Sequence, residues 1–429
     1  MKKVGLISLG CAKNLVDSEN ILGLLDHNRY LITNDATEAD IIIVNTCGFI
    51  DDSKKESIKT IFDMLSYEKK VVVVGCLVER YYEQIKEQIP EISLIIPIRD
   101  YYRFNELLST IDDELDNEEG LNDKYRVIST GPFSAYLKIG EGCDNRCSYC
   151  AIPLIRGGFV SRPLDAIIEE AKDLAASGIK ELIVLEQDTT KYGIDLPNKE
   201  HNIVNLLKEL LKIKELDYIR LLYLYPDEIT DELIELIGKE EKLTPYFDIP
   251  IQHSEDHILL DMNRRGTKED LTNLFNKIKS NVPNAILRTT VMVGFPGETE
   301  EDVDNLIKFM KDIKFDHLGA FAYSQEEGTA SYNFENQIDE DIKKKRLDRV
   351  MKAQQTISYR NNKKHLDEIM TGLVIGQDKD MYLLRSYFNA PDEVDGKIYF
   401  KSDRELELGE KVQVKITETF VYDLMGELI

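Results

Sequence analysis

Near the start of the chain one arrangement occurs three times: a run rich in β-branched and apolar residues ends within a few positions of a cysteine. Residues 4–9 lead to Cys11, residues 41–44 to Cys47 and residues 71–74 to Cys76. Helix-like stretches at 18–28 and 53–67 separate the runs, and the first carries Ile21, Leu22, Leu24 and Leu25 on one side. Buried strands that alternate with helices make βαβ units and a parallel sheet. Crossovers in such a sheet send every strand the same way, so the strand ends share one edge, where open α/β folds bind ligands. Gly10, Gly48 and Gly75 stand beside the three thiols and let backbone approach closely there. A free cysteine alone reads as an inert core residue. Three in the same strand-end setting point to one shared metal site.

The other three cysteines, Cys143, Cys147 and Cys150, share one loop with the spacing C-x3-C-x2-C, after a strand-like segment at 135–139. Structural zinc takes four tetrahedral ligands, and the nearest downstream histidine is His201. An iron–sulfur cluster accepts three thiolates and leaves one iron for an outside molecule. Zinc and a disulfide are the competing readings. The missing fourth ligand weighs against zinc, and a reducing cytosol weighs against a disulfide.

Composition bounds the rest. At about 150 residues per domain, 429 residues make about three domains. Apolar residues at 42% and charged residues at 31% suit a globular protein and exclude disorder, collagen and coiled coil. The longest run without a polar residue, 71–78, falls far short of the roughly 20 residues of a membrane span. Met1-Lys2-Lys3 and the apolar run after it imitate a signal peptide, but Lys13 and Asp17 follow at once. A cytoplasmic strand is the expectation. Lys and Arg total 54 against 79 Asp and Glu, a net charge of −25, which repels nucleic acid and attracts a basic partner.

The loop run, with Tyr149 before its last cysteine, resembles the signature of the radical S-adenosylmethionine (SAM) enzymes. That resemblance implies a 4Fe-4S cluster on Cys143, Cys147 and Cys150, with SAM chelated to the free iron and cleaved to a 5′-deoxyadenosyl radical. The order of elements agrees. Strand candidates at 135–140, 181–186, 218–224, 246–251, 286–293 and 317–323 alternate with helical stretches such as 165–176, 202–213 and 300–313. This predicts an incomplete (β/α)6 barrel with its site at the carboxyl ends of the strands. Residues 293–299 resemble the segment lining the SAM pocket in that family, which implies a cofactor contact at Gly294. The same residues also suit a tight turn capped by Thr299. By resemblance Tyr149 lies near the adenine, with plain packing as the alternative, and Arg288 and Glu181 are candidate contacts for SAM's carboxylate or amine. His253, at a strand end, reads as a substrate contact or a structural histidine.

Residues 10–19, 45–50 and 74–77 are similar to the three amino-terminal cysteine motifs of the methylthiotransferases, and that resemblance covers essentially the whole chain. One branch of that family modifies an aspartate of ribosomal protein S-twelve and another modifies adenosine in tRNA. Segments 187–193, 222–226, 248–253 and 323–329 resemble the first branch, while Ala12 is a small departure from it. The resemblance implies a second 4Fe-4S cluster, on Cys11, Cys47 and Cys76, that holds a sulfur species. One SAM methylates that sulfur, another yields the radical, and the methylthio group joins the β-carbon of the aspartate. An electron donor and a sulfur donor are implied partners, with S-twelve met free or within the small ribosomal subunit. A non-catalytic iron–sulfur carrier is the alternative from a different class. Both clusters must face one cavity; the sequence shows each edge but not that the edges meet.

Seven acidic residues among the twelve at 112–123 read as a solvated linker. They set the expected domains at 1–123 (auxiliary-cluster α/β domain), 124–367 (radical SAM barrel) and 368–429. Residues 339–367 read as a long amphipathic helix closing the barrel, with Lys343, Lys344, Lys345 and Arg346 as a solvated face. Short strands at 371–375, 381–385, 397–400, 412–419 and 423–429 predict a small antiparallel β-barrel. Its position resembles the family's TRAM domain, often an RNA-binding module. From residue 371 on it carries seven Lys and Arg against twelve Asp and Glu, which suits docking of a basic protein better than binding of phosphates.

Overall fold

The computed structural model describes residues 1–25, 27–112, 126–198, 201–391 and 394–429. Most of the acidic linker expected at 112–123, and the boundary drawn through it, lie outside the described residues. Among the described residues no helix is long and apolar enough to cross a membrane.

The first domain is the predicted parallel sheet. Lys2–Ser8, Ile41–Thr46 and Lys70–Gly75 lie side by side as its centre, with Tyr30–Ile32 and Leu94–Ile96 as short edges. The central Ile41–Thr46 strand is buried throughout because helices cover both faces. The first helix runs Ala12–Leu24, beginning six residues before the predicted stretch. Its apolar periodicity becomes visible only from Ile21, whereas its start is set by the turn at Gly10.

Six parallel strands form the second domain, in two hydrogen-bonded groups. Ser134–Lys138, Glu181–Leu185 and Tyr218–Leu221 make one; Tyr246–Asp248, Ile286–Val293 and His317–Ala322 make the other. A bridge between Ile219 and Leu243 links them. Helices such as Leu164–Ala176 and Glu300–Ile313 pack outside against Leu137, Leu182, Val184 and Leu287. This is the expected incomplete barrel.

What fills its open interior was not legible in sequence. Tyr136, Ile183, Tyr246 and Ile286 point inward and pack with Met370, Val374 and Phe388 of the third domain and with Ala12 and Val16 of the first. That third domain is a closed five-stranded barrel. Four of its five pairings are antiparallel, but Ile398–Lys401 pairs parallel with Leu424–Leu428, a refinement of the all-antiparallel expectation.

The 23-residue helix Glu340–Asn362 closes the second domain. Its basic cluster divides, correcting the expected solvated face: Lys344 and Lys345 are exposed, while Lys343 and Arg346 are buried. Lys343 Nζ donates to the Tyr323 carbonyl at 3.1 Å, and Arg346 Nη1 bonds Glu298 at 2.7 Å. The helix meets the barrel on this side, so two of the four cations are taken up as internal ties.

Buried charges join the first two domains. Glu326, in the 323–329 segment, accepts from Arg80 at 2.7 Å and Lys54 at 2.9 Å. Glu19 receives Arg126 at 2.5 Å, and Asp17 receives Arg156 at 2.8 Å. Such pairs are costly to break because removing one partner strands the other.

Candidate active site

Cys11 caps the Ala12–Leu24 helix, Cys47 follows the Ile41–Thr46 strand, and Cys76 is the first residue of the Cys76–Gln88 helix. All three leave the same edge of the sheet. Two sit at helix starts, where unpaired N–H groups favour negative charge. The edge is tight: a Cβ on Gly10, at φ +89°, would stand 2.9 Å from both Cβ and Sγ of Cys47. The Cys11 and Cys47 thiols act electrostatically on that of Cys76. Burial pushes Cys76 up to about 11, against the opposing pull of Arg156, and raises Cys47 as well.

The second triad occupies an irregular loop that its neighbours hold in place. Asn145 donates to Asp188 at 2.7 Å and accepts from Lys191, so the 187–193 segment clamps the loop. Asn263 Nδ2 donates to the Arg146 carbonyl at 2.9 Å, and Ser331 N donates to that of Ser148 at 2.8 Å. Arg146 has φ +50°, a conformation that costs energy and persists because the loop is over-determined. Burial pushes Cys150 up to about 12 and raises Cys143. Without metal these thiols keep their protons. Binding metal would release them.

The two edges meet. Cys76 packs against Ala151 and Ile155, the direct continuation of the Cys150 loop. Arg156 Nη2 donates to Cys76 Sγ at 3.4 Å and to Asn14 Oδ1 at 3.3 Å. Lys13, beside Cys11, acts electrostatically on the Cys150 thiol.

All six cysteines are free of disulfides. Among the described residues no three or more His, Cys, Asp or Glu side chains are grouped tightly enough to hold a single metal ion. A lone zinc does not suit the thiols as they stand, whereas a cluster presents a separate iron to each thiolate. Buried polar atoms without a hydrogen-bond partner follow the barrel strand ends: both oxygens of Glu186, the Gln187 amide, Gln252 Oε1 and Ser254 Oγ. Native interiors rarely leave such groups unpaired, so they suit a polar ligand. Burial pushes the Glu186 carboxyl up to about 7. The residues present therefore fit iron–sulfur clusters and a bound SAM.

The outlying candidates fare differently. Tyr149 packs with Met262, Met292 and Phe295, and its hydroxyl accepts from Arg264 Nη1 at 3.4 Å. Arg264 Nη1 also lies 4.0 Å from Cys147 Sγ, and its guanidinium stacks 4.3 Å from the Tyr225 ring centroid. Sequence reasoning missed Arg264, because nothing in Asn263-Arg264-Arg265 marks one arginine as internal.

Glu181 and Arg288 are corrected. Glu181 begins its strand, far from the ends, and pairs with Arg220 at 3.0 Å and Arg385 at 3.5 Å. Arg288 donates to Asp248 at 2.6 Å and forms an ion pair with Asp395 at 3.4 Å. Both secure the third domain in the barrel. At Gly294 the N–H donates to Glu298 at 2.7 Å, a Cβ would meet Lys343 Cγ at 2.3 Å, and a Thr299–Asp302 capping box follows. His253 is fully buried, accepts from Glu255 N at Nδ1 and faces Glu298 at 3.3 Å, the structural alternative.

Known proteins share these parts. Residues 3–97 match the Uncharacterized protein family UPF0004, residues 137–310 the Radical SAM superfamily, and residues 368–429 the TRAM domain. A radical SAM methyltransferase, TsrM from Kitasatospora setae, shares the fold with a TM-score of 0.55 at 16% identity over 75% of each chain. The cobalamin-dependent radical enzyme OxsB does so at 0.52, over 82% of this chain and 56% of its own. With the radical SAM domain, full-length curated relatives set the class as the radical SAM methylthiotransferases. Ribosomal protein uS12 methylthiotransferase RimO of Clostridioides difficile is 47% identical over 100% of this chain and 99% of its own length. RimO of a Thermoanaerobacter species is 44% identical over 100% of both. The chain belongs to the RimO family.

Proposed function

We propose that Cys143, Cys147 and Cys150 hold one 4Fe-4S cluster, that Cys11, Cys47 and Cys76 hold a second, and that the chain adds a methylthio group to the β-carbon of an aspartate of uS12. The observation that carries this reading is the contact of Cys76 with Ala151, Ile155 and Arg156, which sets one triad beside the continuation of the other. An aspartate β-carbon has no usable acidity, so no side-chain base in the ordinary pKa range removes its proton. When bound, the clusters and SAM supply the radical and sulfur chemistry, and the protein supplies placement and exclusion of water.

The chain's own residues have definable tasks. Asn145, Asp188, Lys191 and Asn263 hold the Cys143–Cys150 loop in shape before ligand arrives. Gly10 admits the Cys47 thiol to the sheet edge. Glu186, Gln187, Gln252 and Ser254 offer unpaired polar atoms to bound SAM or substrate. The net charge of −25 supports a basic protein partner over tRNA. An electron donor and a sulfur donor complete the reaction.

The reading is tested by incubating reconstituted, reduced protein with SAM, sulfide and either uS12 or tRNA. Mass spectrometry is expected to find a methylthio increment on the uS12 aspartate. An increment on tRNA alone overturns it.

A further inference from the structure

Lys13 follows Cys11 by two positions and is only 7% exposed. Its Nζ lies 3.8 Å from the centroid of the Tyr223 ring, and among the described residues it forms no ion pair. Lysine is almost never this buried without an anionic partner, because an ammonium taken from water is costly unless paired. A cation over an aromatic face recovers part of that cost. That leaves a buried cation open to an anion from outside the chain.

The position is specific. Lys13 belongs to the first domain, yet the Tyr223 ring under it belongs to the segment leaving barrel strand Tyr218–Leu221. The ammonium acts electrostatically on the Cys150 thiol and on Glu186, whose carboxylate oxygens have no partner. Tyr223 itself is held at φ +60°, a strained value for a tyrosine, with its N–H donated to Asp248 Oδ2 at 2.9 Å. A strained tyrosine of the barrel thus sets its aromatic face under a cation of the first domain, two residues from Cys11 and near enough to act on Cys150.

We infer that Lys13 receives the side-chain carboxylate of the target aspartate and thereby selects an acidic residue as substrate. The inference rests on the proposed function. A carbon that is to lose hydrogen on one side and gain sulfur from the other must lie between the triads. In aspartate the carboxylate is one bond from that carbon, so it must occupy the same space, where the buried Lys13 ammonium has no ion-pair partner among the described residues. Ammonium is a compact point charge on a flexible stem, suited to holding a carboxylate while the neighbouring carbon is addressed.

The test compares binding of fluorescently labelled uS12 with binding of the same protein carrying Asp→Asn at the modified position. Anaerobic anisotropy is measured on holoenzyme. Wild type is expected to prefer the aspartate form by about 10- to 100-fold, the range of a hydrogen bond to a charged group. Lys13→Gln brings the ratio close to one, and Lys13→Arg retains most of it. Iron content near the wild-type level shows that each variant has assembled; if Lys13→Gln loses iron, Lys13→Met carries the same comparison. A ratio that survives loss of the ammonium overturns the inference, as does a wild-type ratio near one. So does weakened SAM binding with the ratio intact, which gives the lysine to SAM's carboxylate instead. Failure of wild type to bind or modify either form of uS12 overturns the proposed function, a separate outcome.

Discussion

Arg156 donates to Cys76 Sγ at 3.4 Å, although the arginine lies in the barrel and the cysteine in the amino-terminal sheet. The guanidinium is held by Asp17 at 2.8 Å and Glu141 at 3.0 Å. A charge so fixed cannot turn away when the thiol binds metal.

Hydrogen bonds to ligating sulfur help set cluster potential. A donor favours the more negative, reduced cluster, so its removal lowers the potential. In a background with Cys143, Cys147 and Cys150 changed to Ala, Arg156→Gln is expected to lower the remaining potential by roughly tens of millivolts. Redox titration followed by electron paramagnetic resonance measures it. An unchanged potential with full iron removes this role from Arg156.

Iron analysis separates the triads. Wild type is expected to bind about eight irons after anaerobic reconstitution, and either triple Cys→Ala variant about four. Only loss of Cys143, Cys147 and Cys150 should abolish reductive cleavage of SAM. Cleavage that persists in that variant would reverse the assignment of roles.

Gly10→Ala tests the sheet edge. The new methyl would lie 2.9 Å from Cys47 Sγ at a backbone φ of +89°, so the thiol must move. Iron is expected to fall from about eight towards about four per chain, with SAM cleavage retained. Full iron in this variant shows that the edge relaxes.

Glu186 gives a pH dependence. Burial raises its carboxyl from the ordinary 4.5 to about 7. The folded state therefore binds a proton that the unfolded state has lost between those values. Its contribution is complete below the lower value and is lost as pH rises through the upper one. Going from pH 5.5 to 8.5, Glu186→Gln is expected to gain about 2 kcal/mol relative to wild type. Urea denaturation of anaerobic holoprotein at the two pH values measures the difference, and equal midpoint shifts would show that Glu186 titrates normally.

Much of this was legible in residue order. Local signals such as β-branched runs and the Thr299 turn depend on neighbours in sequence, and those elements form as expected. Charge assignments beyond the cysteines were not legible. Glu181 and Arg288 resemble cofactor contacts only until their partners Arg385 and Asp395, from a different domain, are in place. Lys343 and Arg346 look solvated until the barrel rim closes on them.

Two sets of three thiols at strand ends follow from the sequence alone, because strand direction and loop spacing are properties of the chain itself. That Cys76 touches Ala151 and Arg156, that Lys13 lies over Tyr223, and that the third domain plugs the barrel were decided by tertiary packing. Each of these contacts joins residues from separate domains. Burial and charge pairing across such boundaries depend on which surfaces meet, and no periodicity within a segment encodes that.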